Sequence, residues 1–266
     1  MSALHNSFKA ALRGDRDPRI GLFMGLGDPS AAELLGGTGF DWLLIDGEHG
    51  PNDLRSVLAQ LRALQGSEAD VLVRIVDHDP ALIKQMLDIG AQSLLVPMVE
   101  SAEQARALVR ATRYPPAGIR GVGTAMARAA HWNGVPDYVR QANDEICLIV
   151  QAESRAALEA LDDILAVEGV DAVFIGPSDL AASMGHLGRP DHPEVRTAVL
   201  DAIEKIAHSG KAAGVFATRL DAARAYAQAG ARFIALGTDT LLLRQSAAGL
   251  VQAFRAGADQ ATGTGY

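Results

Sequence analysis

Ionisable residues close four short apolar runs in this chain, and together their types define a possible chemistry. Residues 42–45 lead into Asp46-Gly47-Glu48-His49, residues 71–73 into Arg74, residues 146–150 into Gln151-Ala152-Glu153, and residues 172–175 into Gly176-Pro177-Ser178-Asp179. Core packing alone does not select charged groups at such positions. Glu153 and Asp179 are a natural oxygen-donor pair, because two carboxylates can share a divalent cation and leave positions for water and substrate. Oxygen donors favour Mg2+, Mn2+ or Co2+ over a structural zinc, which prefers His and Cys. Each carboxylate also has a plainer reading: Glu153 as a cap on the helix starting near Ser154, and Asp179 as an acid in another helix's first turn. Their pairing on one rim favours the cation.

His49 sits on a glycine-flanked loop with Asp46 and Glu48, where an imidazole can serve as a general acid or base near neutral pH. The bland alternative is a solvated loop histidine. His5, His78, His131, His186, His192 and His208 fall in loops or helices without such company. Arg74 either pairs with a neighbouring carboxylate or holds a developing oxyanion or substrate carboxylate, and the second role is the expected one. Schiff-base chemistry requires a lysine at the reacting centre. Lys84 and Lys205 read as helical, Lys9 belongs to an N-terminal capping segment, and Lys211 precedes a strand at its wrong end. Carbonyl activation is therefore expected from a metal.

These groups can meet only if the intervening elements bring the ends of their strands together. Strand-like runs occur at 20–25, 42–46, 71–74, 93–97, 146–151, 172–175, 213–216 and 233–236. Helical periodicity fills stretches between them, at 53–64, 80–89, 102–112, 193–208 and 220–229. Gly90, Gly169 and Gly230 stand where helices should end before a strand. The strands are nearly continuous apolar runs, as parallel strands covered on both faces should be. Eight β–α alternations imply a (β/α)8 TIM barrel, whose chemistry gathers at the C-terminal ends of its strands. A single domain spanning 1–266 is expected, since barrels of about 250 residues commonly form one.

Residues 2–13 read as a short helix capping the barrel bottom, and residues 256–266 as a frayed Gly- and Thr-rich tail. The stretch near 114–145, with Pro115-Pro116, Gly118, Gly121, Gly123 and His131-Trp132-Asn133, reads as a long βα-type insertion of the kind that carries function or subunit contacts. The glycines at 21–27 and 118–123 do not form a P-loop and are read as tight turns.

Composition excludes several classes. The 266 residues are 48% hydrophobic and 21% charged, ordinary for a globular protein. A net charge of −8 argues against a nucleic-acid partner, which requires a basic face. No apolar run is long enough for a bilayer and no cationic leader opens the chain, so no membrane partner is expected. The single Cys147 lies in an apolar run and reads as a core residue of a cytoplasmic protein.

The segments Trp42-Leu43-Leu44-Ile45-Asp46-Gly47-Glu48-His49, Leu94-Leu95-Val96-Pro97-Met98-Val99, Tyr114-Pro115-Pro116-Ala117-Gly118-Ile119-Arg120-Gly121, Gln151-Ala152-Glu153-Ser154 and Val173-Phe174-Ile175-Gly176-Pro177-Ser178-Asp179-Leu180 together resemble the HpcH/HpaI aldolases, over roughly 21–250. Within that family the metal-dependent 4-hydroxy-2-oxoheptanedioate and 2-keto-3-deoxy-sugar-acid aldolases are the most similar. The resemblance implies a class II aldolase that reversibly cleaves 4-hydroxy-2-oxo acids to pyruvate or hydroxypyruvate and an aldehyde through a metal-bound enolate. By position it implies that Glu153 and Asp179 bind the metal, that His49 is the base, directly or through water, and that Arg74 stabilises the enolate. Gln151, Ser178 and the backbone of the Gly176-Pro177-Ser178-Asp179 turn would hold the pyruvate portion. Asp88 matches the residue that raises the histidine's basicity, although its place near a helix C-terminus points to the opposite rim. Phe23 and Phe216 resemble acceptor-pocket linings, with core packing as the alternative. A homohexamer built from trimers is also implied. Two rivals remain: a citryl- or malyl-CoA type lyase, which would need a basic groove for the CoA phosphates, and a non-catalytic keto-acid-binding barrel, which would need no base.

Overall fold

Eight short strands carry the framework: β1 (Arg19–Met24), β2 (Trp42–Asp46), β3 (Asp70–Arg74), β4 (Ser93–Val96), β5 (Cys147–Ala152), β6 (Ala172–Ile175), β7 (Ala212–Phe216) and β8 (Ala231–Thr238). The computed structural model describes residues 4–14 and 17–256. Each strand pairs in parallel with the next, and β8 returns to β1 through Arg19↔Phe233 and Gly21↔Ala235. The result is the closed (β/α)8 barrel that the alternation predicts, with strand ends shifted by no more than two residues. The helices are α1 (Ser7–Leu12), α2 (Pro29–Gly36), α3 (Leu54–Ala63), α4 (Pro80–Asp88), α5 (Ala102–Thr112), α6 (Tyr138–Gln141), α7 (Arg155–Glu159), α8 (Leu161–Leu165), α9 (Pro177–Ser183), α10 (Pro193–His208), α11 (Leu220–Gln228) and α12 (Asp239–Arg255). Gly90, Gly169 and Gly230 take the left-handed φ values of 106°, 94° and 109° that turn a helix end into the following strand.

Side chains of a strand alternate between two faces, and here the alternation separates two cores. Outward residues such as Leu22, Leu43, Val73, Leu94, Val150 and Val215 pack against the helices. Inward residues, among them Trp42, Leu44, Leu72, Leu95, Ile149, Phe174 and Phe233, fill the barrel. The bulky rings need small neighbours. A Cβ on Gly21 would lie 2.1 Å from the Trp42 ring, and one on Gly214 would lie 2.3 Å from Phe233.

The floor of the barrel, at the N-terminal ends of the strands, is closed by α1. Phe8 rises from it to meet Trp42 and Phe233 edge-on, with centroids 6.3 and 5.5 Å apart. Asn6 caps α1 and its amide donates to Gln92 O, Ser93 Oγ and Glu145 O. Lys9 Nζ donates to Ile146 O and lies 3.3 Å from Asp171. Residues 2 and 3 of the expected cap, and residues 257–266 of the expected frayed tail, lie outside the described residues.

Two features differ from the sequence-based expectation. The long connection at 113–146 follows α5 and precedes β5, so it is an αβ rather than a βα insertion. It begins where the chain has already returned to the floor, and its Tyr114, Ala130, Tyr138 and Ala142 form a small core of their own. The second is helix α12, which lies outside the stretches read as helical from the sequence. Its buried residue is Asp239 alone, while Leu242, Leu243, Leu250, Val251 and Phe254 are exposed. No described helix is long and apolar enough to cross a membrane.

Candidate active site

The alternation that fills the barrel with rings below also decides what reaches its mouth above. Phe23, Leu44 and Leu72 point inward, so two residues further along Asp46 and Arg74 do as well. On β5, Cys147 and Ile149 point inward, and the same period carries Gln151 and then Glu153 into the mouth. Asp46, Arg74, Gln151 and Glu153 are all buried.

Asp46 grips Arg74 with both oxygens, Arg74 Nε donating to Oδ1 at 2.9 Å and Nη2 to Oδ2 at 2.7 Å. The same carboxylate accepts from the backbone N–H groups of Glu48 and His49. Burial acts to raise the Asp46 pKa, but Arg74 and these N–H groups outweigh it and the net direction is down. Arg74 Nη1 lies 2.8 Å from Glu48 Oε2, an ion pair without aligned hydrogen-bond geometry. Burial pushes the Glu48 carboxyl up, Arg74 and His49 oppose it, and Asp46 and Asp179 add to it. Of the two roles considered for Arg74, carboxylate pairing is therefore present in the fold. It leaves other guanidinium N–H groups to donate, since arginine carries five.

Glu153 does not cap the following helix; Ser154 does, its Oγ accepting from Ala157 N. Glu153 Oε1 instead accepts from Met98 N at 2.8 Å, and Oε2 accepts from Gln151 Nε2. Met98 has a left-handed φ of 53° at this contact. Such strain is unusual for a non-glycine residue and is concentrated at functional sites. Burial raises the Glu153 pKa to about 7; Met98 and Gln151 oppose the rise, while Asp179 and Glu48 reinforce it. Gly176 lies against the same carboxylate, where a Cβ would come within 2.6 Å of Oε2 and 3.0 Å of Gln151 Nε2. Gln151 Oε1 is buried without a hydrogen-bond partner.

After Gly176 the chain enters α9, with Pro177 at its start and Asp179 in its first turn. Ser178 and Asp179 are exposed there, and N–H groups of a first turn lack intrahelical acceptors. Asp179 therefore does occupy the first-turn position of its plainer reading, while also acting electrostatically on Glu48 and Glu153. His49 is exposed on the loop between β2 and α3. Phe23 is buried among the barrel rings, 5.2 Å from Phe216 and 5.1 Å beneath the Arg74 guanidinium, so core packing describes it better than a pocket lining. Phe216 is only partly buried.

Asp88 is not brought to this site within the chain. It ends α4, the helix that returns the chain to the start of β4, and pairs with Arg120 at 2.8 Å. Conversely, the carboxylates that hold Arg74, Asp46 and Glu48, emerge as site components in their own right. The signal for Asp46 was the inward parity of β2, shared with Trp42 and Leu44, whereas Glu48 lies on the loop beyond the strand.

A family model described as HpcH/HpaI aldolase/citrate lyase matches residues 19–246. The chain is 59% identical over 255 residues to a hydroxypyruvate/pyruvate aldolase of Deinococcus radiodurans, covering 96% of this chain and 92% of that protein. It is 56% identical over 251 residues to a 4-hydroxy-2-oxo-heptane-1,7-dioate aldolase of Klebsiella pneumoniae, covering 94% of each. A solved HpcH/HpaI aldolase/citrate lyase family protein from Burkholderia cenocepacia matches with a TM-score of 0.90 at 42% identity, covering 94% of this chain and 99% of that one.

Proposed function

The chain belongs to the HpcH/HpaI aldolase/citrate lyase family, and from that membership we propose that its barrel mouth reversibly cleaves 4-hydroxy-2-oxo acids to pyruvate or hydroxypyruvate and an aldehyde. It is a carbon–carbon lyase. The observation that carries the site assignment is the buried Glu153, its pKa raised to about 7 by burial with the Asp179 and Glu48 carboxylates in support. Among the described residues the buried Glu153 is held by Met98 and Gln151 and has no cationic side chain paired with it, and a divalent cation would supply the counter-charge. The bare Cα of Gly176 keeps the space beside Glu153 Oε2 free. The donor set therefore fits a hard ion held by Glu153 and Asp179, and Mg2+, Mn2+ or Co2+ is proposed.

When bound, such an ion would act as a Lewis acid on the 2-oxo group. His49 takes the proton of the 4-hydroxyl as the C3–C4 bond breaks, and the same imidazole returns a proton to C3 of the enolate. Arg74 donates to the oxygen on which negative charge develops, its plane fixed by Asp46. Gln151 orients Glu153 and, with Gly176, Ser178 and the first-turn N–H groups of α9, holds the keto-acid end. Pro177 fixes the turn into that helix. Phe216 borders the aldehyde, with Phe23 supporting Arg74 from below. Asp88 takes no part within the chain. Self-association into a homohexamer is proposed as the means of covering the apolar side chains of α12. The buried Cys147, whose thiol pKa burial raises, suits a reducing cytoplasmic setting.

The enolisation half-reaction tests this without an aldehyde. In D2O the methyl protons of pyruvate should exchange in the presence of enzyme and Mg2+, Mn2+ or Co2+. His49→Asn should slow exchange about 100-fold or more, the usual weight of a general base. Exchange at the wild-type rate in that variant would remove His49 from the mechanism.

A further inference from the structure

The histidines that the sequence left without company are not all isolated. Helix α9 ends at Ser183, and the chain then turns back on itself through Gly185 and Gly188, with φ of 85° and 72°. His186 N donates to Ala181 O, Arg189 N to His186 O, and His192 N to Arg189 O. This fold-back stacks the His186 and His192 rings, with centroids 3.6 Å apart and planes 16° from parallel. Glu194, in the first turn of α10, then places Oε2 2.9 Å from His186 Nε2.

We propose that His186, His192 and Glu194 form a second metal site, taking a borderline divalent transition ion such as Zn2+, separate from the oxygen donors of the mouth. One ligand atom from each residue lies within 4.8 Å of the other two. Zinc bonds of about 2.0–2.1 Å set tetrahedral ligand atoms roughly 3.3 Å apart. The His186–Glu194 pair thus needs only slight opening, whereas the His192 ring must swing out of the stack, because an imidazole ligates in its own plane and two parallel rings 3.6 Å apart share none. His192 is weakly committed elsewhere, its Nδ1 accepting a long 3.4 Å bond from Glu194 N. Metal binding needs neutral imidazoles. Entry is open, because the Glu194 side chain is 69% exposed and that of His186 19%. Imidazole nitrogens select zinc-like ions, whereas the mouth offers oxygens. A bound ion would tie the end of α9, the helix bearing Asp179, to the start of α10.

Cobalt(II) is a suitable probe, since low-coordinate, nitrogen-ligated Co2+ absorbs visible light far more strongly than six-coordinate, oxygen-ligated Co2+. Titration of the full-length protein should give an intense band that saturates at one ion per chain. Glu153→Gln should leave the band in place. His186→Gln and His192→Asn should each weaken it at least tenfold while far-UV circular dichroism is unchanged; asparagine at 192 keeps an acceptor for the cap of α10. Should either variant lose its fold, Glu194→Gln provides the same comparison. Absence of an intense band in the wild type, its retention in the folded histidine variants, or its loss in Glu153→Gln would each overturn the assignment.

Discussion

The two ends of this barrel bury charge in opposite ways. At the floor the cations and anions are matched: Lys9 with Asp171 at 3.3 Å, Arg19 with Asp70 at 2.5 Å, and Arg120 with Asp88 at 2.8 Å. At the mouth Asp46, Glu48, Glu153 and Asp179 act on one another, and the arginine among them is Arg74. Matched buried pairs favour a single packed arrangement, whereas a surplus of buried carboxylate costs stability until a cation arrives. Shape points the other way. A hollow of about 590 Å³ lies on the floor, bordered by His5, Gln65, Gln92, Arg128 and Tyr138, and it contains none of the mouth residues. Unbalanced charge, rather than open volume, is what distinguishes the end proposed to be functional.

The contrast breaks most visibly if the charge surplus is removed. Glu153→Ala should reduce turnover by more than the roughly 10–100-fold cost of losing a residue that only supports a metal ligand, with the fold retained by circular dichroism. Full activity in that variant would mean the surplus serves no cation. The floor should respond in the reverse sense. Phe8→Ala empties a site between Trp42 and Phe233 and should cost about 3–5 kcal/mol of stability. Its kcat/KM, measured well below the lowered melting temperature, should match the wild type; a drop of tenfold or more would show that the two ends are coupled.

The smallest effect is in pH dependence. Glu153 has a folded pKa of about 7 against 4.5 for an unperturbed glutamate. Between those values the folded chain binds more protons than the unfolded one, so this group's contribution to stability falls as pH rises. The chelated protein should lose a few degrees of melting temperature from pH 5 to pH 8, and Glu153→Gln should flatten that slope. An equal slope in both would assign the dependence to other groups.

Much of this contrast was legible in the residues. Strand ends were visible because β-branched and leucine runs stop at Asp46, Arg74, Gln151 and Gly176, and the missing mouth lysine was a matter of position along βα units. Lys9 and Lys211 do lie at the floor, donating to Ile146 O and to Val167 and Val170 O. The αβ character of the 113–146 connection was missed because turn-forming residues mark a loop without saying at which end of the barrel it begins. The exposure of α12 was hidden because helical periodicity does not reveal whether the apolar face has a partner within the chain. The clustering of His186, His192 and Glu194 depended on two left-handed glycines folding a loop back, which no periodic pattern announces.

The most direct measurement is pyruvate release from 4-hydroxy-2-oxo acids, coupled to lactate dehydrogenase, before chelation, after it, and after Mg2+, Mn2+ or Co2+ is restored. Activity should disappear with the chelator and return with the ion in the wild type, but not return in Glu153→Ala. Pyruvate release that persists undiminished in the thoroughly chelated protein would contradict a cation at the mouth, and no release under any ion would contradict the aldolase itself.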